Sequence, residues 1–226
     1  MGIFAKLTVV FLIMLNSLCV QPDVKRGMEM ETAESFGKVI LSGEIEKTDD
    51  SLMINYQLTN QSQEKIYIWD LIPVRDEGGE EVEHDLAYRC FEEPDTLRVV
   101  RAVLPLPLDR EVYMKNVPYV RPVEPNKSVT GKIVLPLPIL EYNPYYPLMD
   151  IEDQKEIEVN KIRLIIGWTE VRSGMIVTET EAGGETVQMI RGAWESPLYH
   201  LVDKTFQSDV KIKFRTDEFD RRMPEH

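Results

Sequence analysis

The side chains best suited to chemistry in this sequence are three tyrosines. Tyr142, Tyr145 and Tyr146 fall within five positions, interleaved with Pro144 and Pro147, in a chain that has nine tyrosines altogether. Tyrosine brings a large rigid ring and a hydroxyl at small entropic cost, so a proline-stiffened cluster reads as a contact surface for a protein or glycan partner. The competing reading has the rings plugging the core beneath a long connection. At least one largely exposed ring is the mark of the first, three buried rings of the second. Tyr113 and Tyr119 would join the patch if the similar segments that precede the two groups are similarly placed.

Elsewhere the residue types that carry catalysis are dispersed. His84, His200 and His226 lie far from one another and from Cys19 and Cys90, outside the spacings of zinc ligands. No G-x-S-x-G elbow, phosphate loop, H-E-x-x-H or C-x-x-C occurs. No catalytic, cofactor-binding or metal-ligating residue is assigned, and the chain is expected not to be an enzyme. His84 stands in an acidic stretch, residues 76–85, that lacks the order of a calcium loop and reads as a solvated hairpin. Cys90 reads as a small buried apolar side chain. Glycoside hydrolysis requires only two carboxylates at one site. An exported carbohydrate-active hydrolase, with an unidentified pair among 39 acidic residues, is therefore the alternative function.

The amino terminus supplies an address. Lys6 precedes a run at residues 7–20 that is apolar apart from Thr8, Asn16 and Ser17. That is the length of a signal-peptide core and short for crossing about 30 Å of hydrocarbon. Cleavage after Cys19 is expected, which makes the protein exported, either periplasmic or extracellular. Cys19 is also a candidate for lipid attachment, because a cysteine just after such a run begins bacterial lipoproteins. Asn16 and Leu18 depart from the leucine and small residue of that pattern. Any membrane attachment would then run through the N-terminus alone.

The elements that must position these residues read as strands. Residues 20–36 are a polar tether, 37–215 a single domain and 216–226 a polar tail. Within the domain, Leu52, Ile54, Tyr56 and Leu58 alternate with polar positions, as do Val129, Gly131, Ile133 and Leu135, and Val210, Ile212 and Phe214. Residues 161–168 are nearly continuous in apolar content and predict the most central strand. Gly-Gly pairs at 78–79 and 183–184 mark hairpin turns. Two near-identical hexapeptides, VLPLPL at 103–108 and VLPLPI at 134–139, predict places where strands leave a sheet with their leucines still packed inward. Ser196 and Pro197 would cap one short helix near residues 197–206, with Leu198, Leu201 and Val202 on one face. The fold class is all-β: an immunoglobulin-like antiparallel β-sandwich of about 9–11 strands with that one helix.

Composition narrows the partners. The chain carries 26 basic against 39 acidic residues, a net charge of −13, which excludes the basic footprint that nucleic acid demands. With 43% hydrophobic content over 226 residues, a core forms without disulfide or metal. The expected function is an exported, non-catalytic binding, accessory or envelope-structural module with a protein or glycan partner in the envelope.

Overall fold

Apolar–polar alternation becomes strand over most of the chain. The structure is a computed structural model and describes residues 38–76, 79–146, 154–170, 174–191 and 200–215, all within the compact unit Ala33–His226. These residues contain thirteen strands and no α-helix. In chain order they are β1 (Val39–Lys47), β2 (Ser51–Asn60), β3 (Ile66–Asp76), β4 (Gly79–Glu83), β5 (Tyr88–Glu92), β6 (Thr96–Arg101), β7 (Tyr119–Val123), β8 (Ser128–Pro136), β9 (Ile139–Leu140), β10 (Gln154–Glu170), β11 (Ile176–Ala182), β12 (Glu185–Arg191) and β13 (His200–Arg215). The protein is an all-β sandwich.

One layer is a three-stranded antiparallel sheet, β1-β2-β8. The other is a ten-stranded sheet with the path β11-β12-β7-β3-β10-β13-β9, to which β4, β5 and β6 attach. Most pairs are antiparallel, but β6 runs parallel to β10 and β9 parallel to β13. Between the layers, Leu52, Ile54 and Leu58 of β2 and Ile133 and Leu135 of β8 meet Leu97, Val99, Ile162, Leu164, Ile166 and Ile212 of the large sheet. A second cluster lies on the outer face of that sheet, where Tyr88, Cys90, Val100, Ile165 and Leu201 gather. Strands β6 and β10 are thus buried on both faces. This explains the continuous apolar run at 161–168, and β10 pairs with β3, β6 and β13 as a central strand should.

Three local expectations change. The helix near residues 197–206 is not formed over its described part, because His200 begins β13 and pairs with Trp168 of β10. Leu201 packs into the outer cluster and Val202 against the inner one, so the two occupy opposite faces, as a period of two requires. The long ladder with β10 gives the backbone groups on that edge of β13 the partners a helix would have supplied locally. Residues 197–199 lie outside the described residues. The hexapeptides do mark strand exits, since 103–108 follows β6 and β8 ends at Pro136. Their leucines do not all turn inward, however: Leu104 and Leu135 are buried, whereas Leu106 and Leu108 are exposed. Thirteen strands also exceed the expected 9–11, because β5, β6 and β7 are short and their sequences alternate weakly.

Candidate functional site

The tyrosine segment is shaped by its own sequence before the fold engages it. Tyr146 N donates to Asn143 O at 3.0 Å, and Tyr145 N donates to the Asn143 side-chain oxygen at 3.0 Å. Asparagine opening the turn and Pro144 next supply the chemistry that a β-turn favours at those positions. Upstream, Tyr142 exchanges two backbone hydrogen bonds with Arg89 of β5, both 2.9 Å. The buried Glu141 carboxylate then accepts the backbone N–H groups of Phe91 and Arg215 at 2.9 and 3.0 Å. What reads as a loop in sequence is stitched to β5 and β13.

None of the three rings is exposed, so the mark expected of a contact surface is not met; Tyr146 alone is fully buried, so that of a core plug is not met either. Tyr146 is buried, its hydroxyl donating to Asp109 at 2.6 Å, with the Arg110 guanidinium 3.8 Å from its ring centroid. Arg110 also donates to Tyr145 O at 3.0 Å and so clamps the turn from outside. Tyr142 and Tyr145 are half-buried and pack on the outer-face cluster. Tyr142 lies 6.1 Å from the Tyr88 ring and 5.2 Å from the Arg89 guanidinium. The Tyr145 hydroxyl accepts the Asn116 backbone N–H at 3.1 Å, and the Asn116 side chain accepts from the Tyr88 hydroxyl at 3.0 Å. Burial raises the Tyr142 and Tyr145 hydroxyls above their ordinary range, so both are neutral donors and acceptors at physiological pH.

Together the rings line a cleft of about 320 Å³, at the small end of ligand-sized pockets. Its walls are Pro73, Val74 and Arg75 from the end of β3, Met114, Lys115 and Asn116 from the connection before β7, and Tyr142, Pro144, Tyr145 and Tyr146. Arg75 and Lys115 are the charged members, and Arg75 also pairs with Glu80. Tyr119 does not join this group. It is buried on β7, and its hydroxyl bonds Glu80. Tyr113 is 95% exposed on the connection beside Met114. Sequence reasoning found the tyrosines but missed Arg75, Arg89, Arg110, Lys115 and Asn116. Only the Asn143-Pro144 pair signalled a fixed turn.

A second polar constellation bridges the two sheets. Tyr56 of β2 donates to Asp70 of β3 at 2.9 Å, and Arg121 of β7 forks onto the same carboxylate. Arg101, only 1% exposed, donates to the Tyr56 hydroxyl at 2.9 Å and to the carbonyls of Leu86, His84 and Lys132. Burial, with the Asp70 charge, raises the Tyr56 hydroxyl well above its ordinary value. Every hydrogen-bonding atom named here is occupied by protein, so the network serves as an inter-sheet bolt.

Other candidates are settled by their neighbours. Cys90 is a buried thiol, as expected, and donates to the Phe91 backbone carbonyl at 3.5 Å. His84 pairs with Glu185 at 2.9 Å on the surface, and His200 stacks on Trp168 at 4.5 Å. No group of three or more metal-ligating side chains occurs among the described residues. A shallow groove holds Asp49, Glu156, Glu158 and Asp209 with Lys47 and Lys211, but no aromatic ring lines it. It therefore lacks the platform on which a sugar would stack in the hydrolase reading. Cys19 lies outside the described residues, among which no helix is long and apolar enough to cross a membrane. No protein-family model, curated protein or solved structure matches the chain.

Proposed function

We propose that this protein is an exported, non-catalytic binding module that holds a partner at the tyrosine cleft. The observation that carries the reading is the division of labour among the three rings. Tyr146 anchors the segment beneath Arg110, while Tyr142 and Tyr145 stay half-open on a concave wall. Rigid aromatic walls that are part-buried before binding lose little side-chain freedom on association, which favours affinity. Export rests on the apolar run at residues 7–20, with a mature terminus near Val20. Intact-mass measurement of protein from its native host tests that part. Loss of residues 1–19 is expected, and a retained segment or a lipid on Cys19 would mean an anchored protein instead.

The binding half is tested by comparing wild-type protein with Tyr145→Ala for retention of native envelope components and for glycan-array signal. Affinity for the retained partner should fall by more than about 1 kcal/mol, as for a hot-spot ring. The denaturant midpoint should move much less than the ~3 kcal/mol that truncating a fully buried aromatic costs. A large stability loss with unchanged binding would identify the segment as a plug.

A further inference from the structure

The two outer edges of the three-stranded sheet are finished differently. Along β8, Lys127 O accepts Asn60 N at 2.9 Å and Leu137 N donates to Asp50 O at 2.8 Å, so the odd-numbered residues bond β2 and the even-numbered ones turn away from it. That outer edge is stopped. Thr130 O accepts Arg121 at 3.1 Å, Lys132 O accepts Arg101 at 2.9 Å, Val134 N donates to Asp85 O at 3.2 Å, and Pro136 has no N–H. Along β1, Lys38 O accepts Gln61 N at 2.6 Å and Thr48 N donates to Ser51 O at 2.8 Å, so here the even-numbered residues bond β2. Val39, Leu41, Gly43, Ile45 and Lys47 therefore direct their N–H and C=O groups outward. Among the described residues no backbone or side-chain group caps them, and the strand has neither proline nor bulge. An uncapped edge of this kind is a template for another strand.

We propose that β1 pairs antiparallel with β1 of a second copy of this chain, about a two-fold axis through Gly43. The strand's own pattern selects that occupant. Gly43 is the middle residue of Val39–Lys47, so this register gives every outward-directed backbone group a counterpart. On the inner side Leu41 faces Ile45 of the second copy, and both side chains already belong to the apolar layer between the sheets. Lys47 faces Val39, with its ammonium held by Asp209 O of its own β13. On the outer side Ile40, an exposed apolar residue, faces Glu46, and Ser42 faces Glu44, so no carboxylate opposes another. Moving the axis to Glu44 would set that carboxylate against itself. The edge strand β11 of the large sheet suits such pairing less, because its middle residue is Glu179. No β1 residue lines the tyrosine cleft, so the contact stands apart from the binding reading.

Sedimentation of the purified protein over a range of concentrations, combined with amide hydrogen exchange, tests this. A monomer–dimer equilibrium is expected. The amides of Leu41, Gly43 and Ile45 should gain protection as concentration rises, whereas those of Ser42 and Glu44, already bonded to β2, should change little. Ser42→Glu sets carboxylates opposite Glu44 on both sides of the axis. It should weaken the dimer about ten-fold or more while leaving the denaturant midpoint nearly unchanged, since Ser42 is exposed. Adding Glu44→Lys to that variant should restore the dimer. Oxidising a mixture of Ser42→Cys and Glu44→Cys should link one chain of each in preference to either alone, because directly opposed positions bring Cβ atoms within disulfide reach. A protein that is monomeric at every concentration would overturn the proposal. So would a dimer indifferent to Ser42→Glu, or one without concentration-dependent protection in β1. Dimers that form only once residues 20–36 are removed would make the chain's own preceding segment the occupant and overturn the second copy.

Discussion

Tyr56 shows how much one side chain can depend on its place. In sequence it is one of four alternating apolar positions, indistinguishable from Ile54 or Leu58. In the fold its ring covers Gly131, where an added Cβ would fall 2.2 Å from the ring, and its hydroxyl reaches across to Asp70. Gly131→Ala should cost about 1–3 kcal/mol through overpacking, read as a shift in the urea midpoint. Tyr56 and Tyr88 also make stability sensitive to alkali, because burial above all raises both hydroxyls in the folded state above an ordinary value near 10. The unfolded chain releases these protons first. Stability is therefore full below about pH 10 and falls as pH rises beyond it, by about 1.4 kcal/mol per pH unit for each tyrosine that stays protonated. Urea midpoints between about pH 9 and pH 12 should show this fall, and it should be shallower in Tyr56→Phe. Identical profiles for the two proteins would contradict the assignment.

Strands were the most legible level. The alternation at 52–58, 129–135 and 210–214 corresponds to β2, β8 and the end of β13, with each named inward residue part- or fully buried. Ile54→Ala and Ile212→Ala should each cost about 2–5 kcal/mol, because both are at most 1% exposed. Gln57→Ala and Lys211→Ala, on exposed positions of the same strands, should stay within about 0.5 kcal/mol. Equal losses on the two faces would mean the register is wrong. Turn chemistry was equally legible at Gly183 and Gly184, which adopt φ of 58° and 79° between β11 and β12, as a two-residue hairpin of the favoured hand requires. The first half of β13 was misread because Ser-Pro followed by spaced apolar residues is a good local helix start. Pairing with β10, nearly forty residues away in sequence, overrode it.

At the scale of the whole molecule, the two sheets are held by an apolar layer and by the Arg101–Tyr56–Asp70–Arg121 bolt that crosses it. Removing one member strands the others in the interior, so Asp70→Asn should cost about 3–5 kcal/mol. Arg121→Met added to Asp70→Asn should cost less than the sum of the single changes, since it removes a charge already left without its partner. A strictly additive pair in denaturant unfolding would show that the network is not acting as a unit. The sequence by itself determined the all-β class, several strands with their inward faces, and the tyrosine cluster, because side-chain period and turn residues are local properties of the chain. Tertiary structure alone decided that Tyr146 is clamped while Tyr142 and Tyr145 stay half-open, that Arg75 and Lys115 share a cleft with them, and that Asp70 meets Tyr56. Those outcomes depend on which distant strands become neighbours, and the energy that selects the neighbours is summed over the whole core rather than written in any one segment.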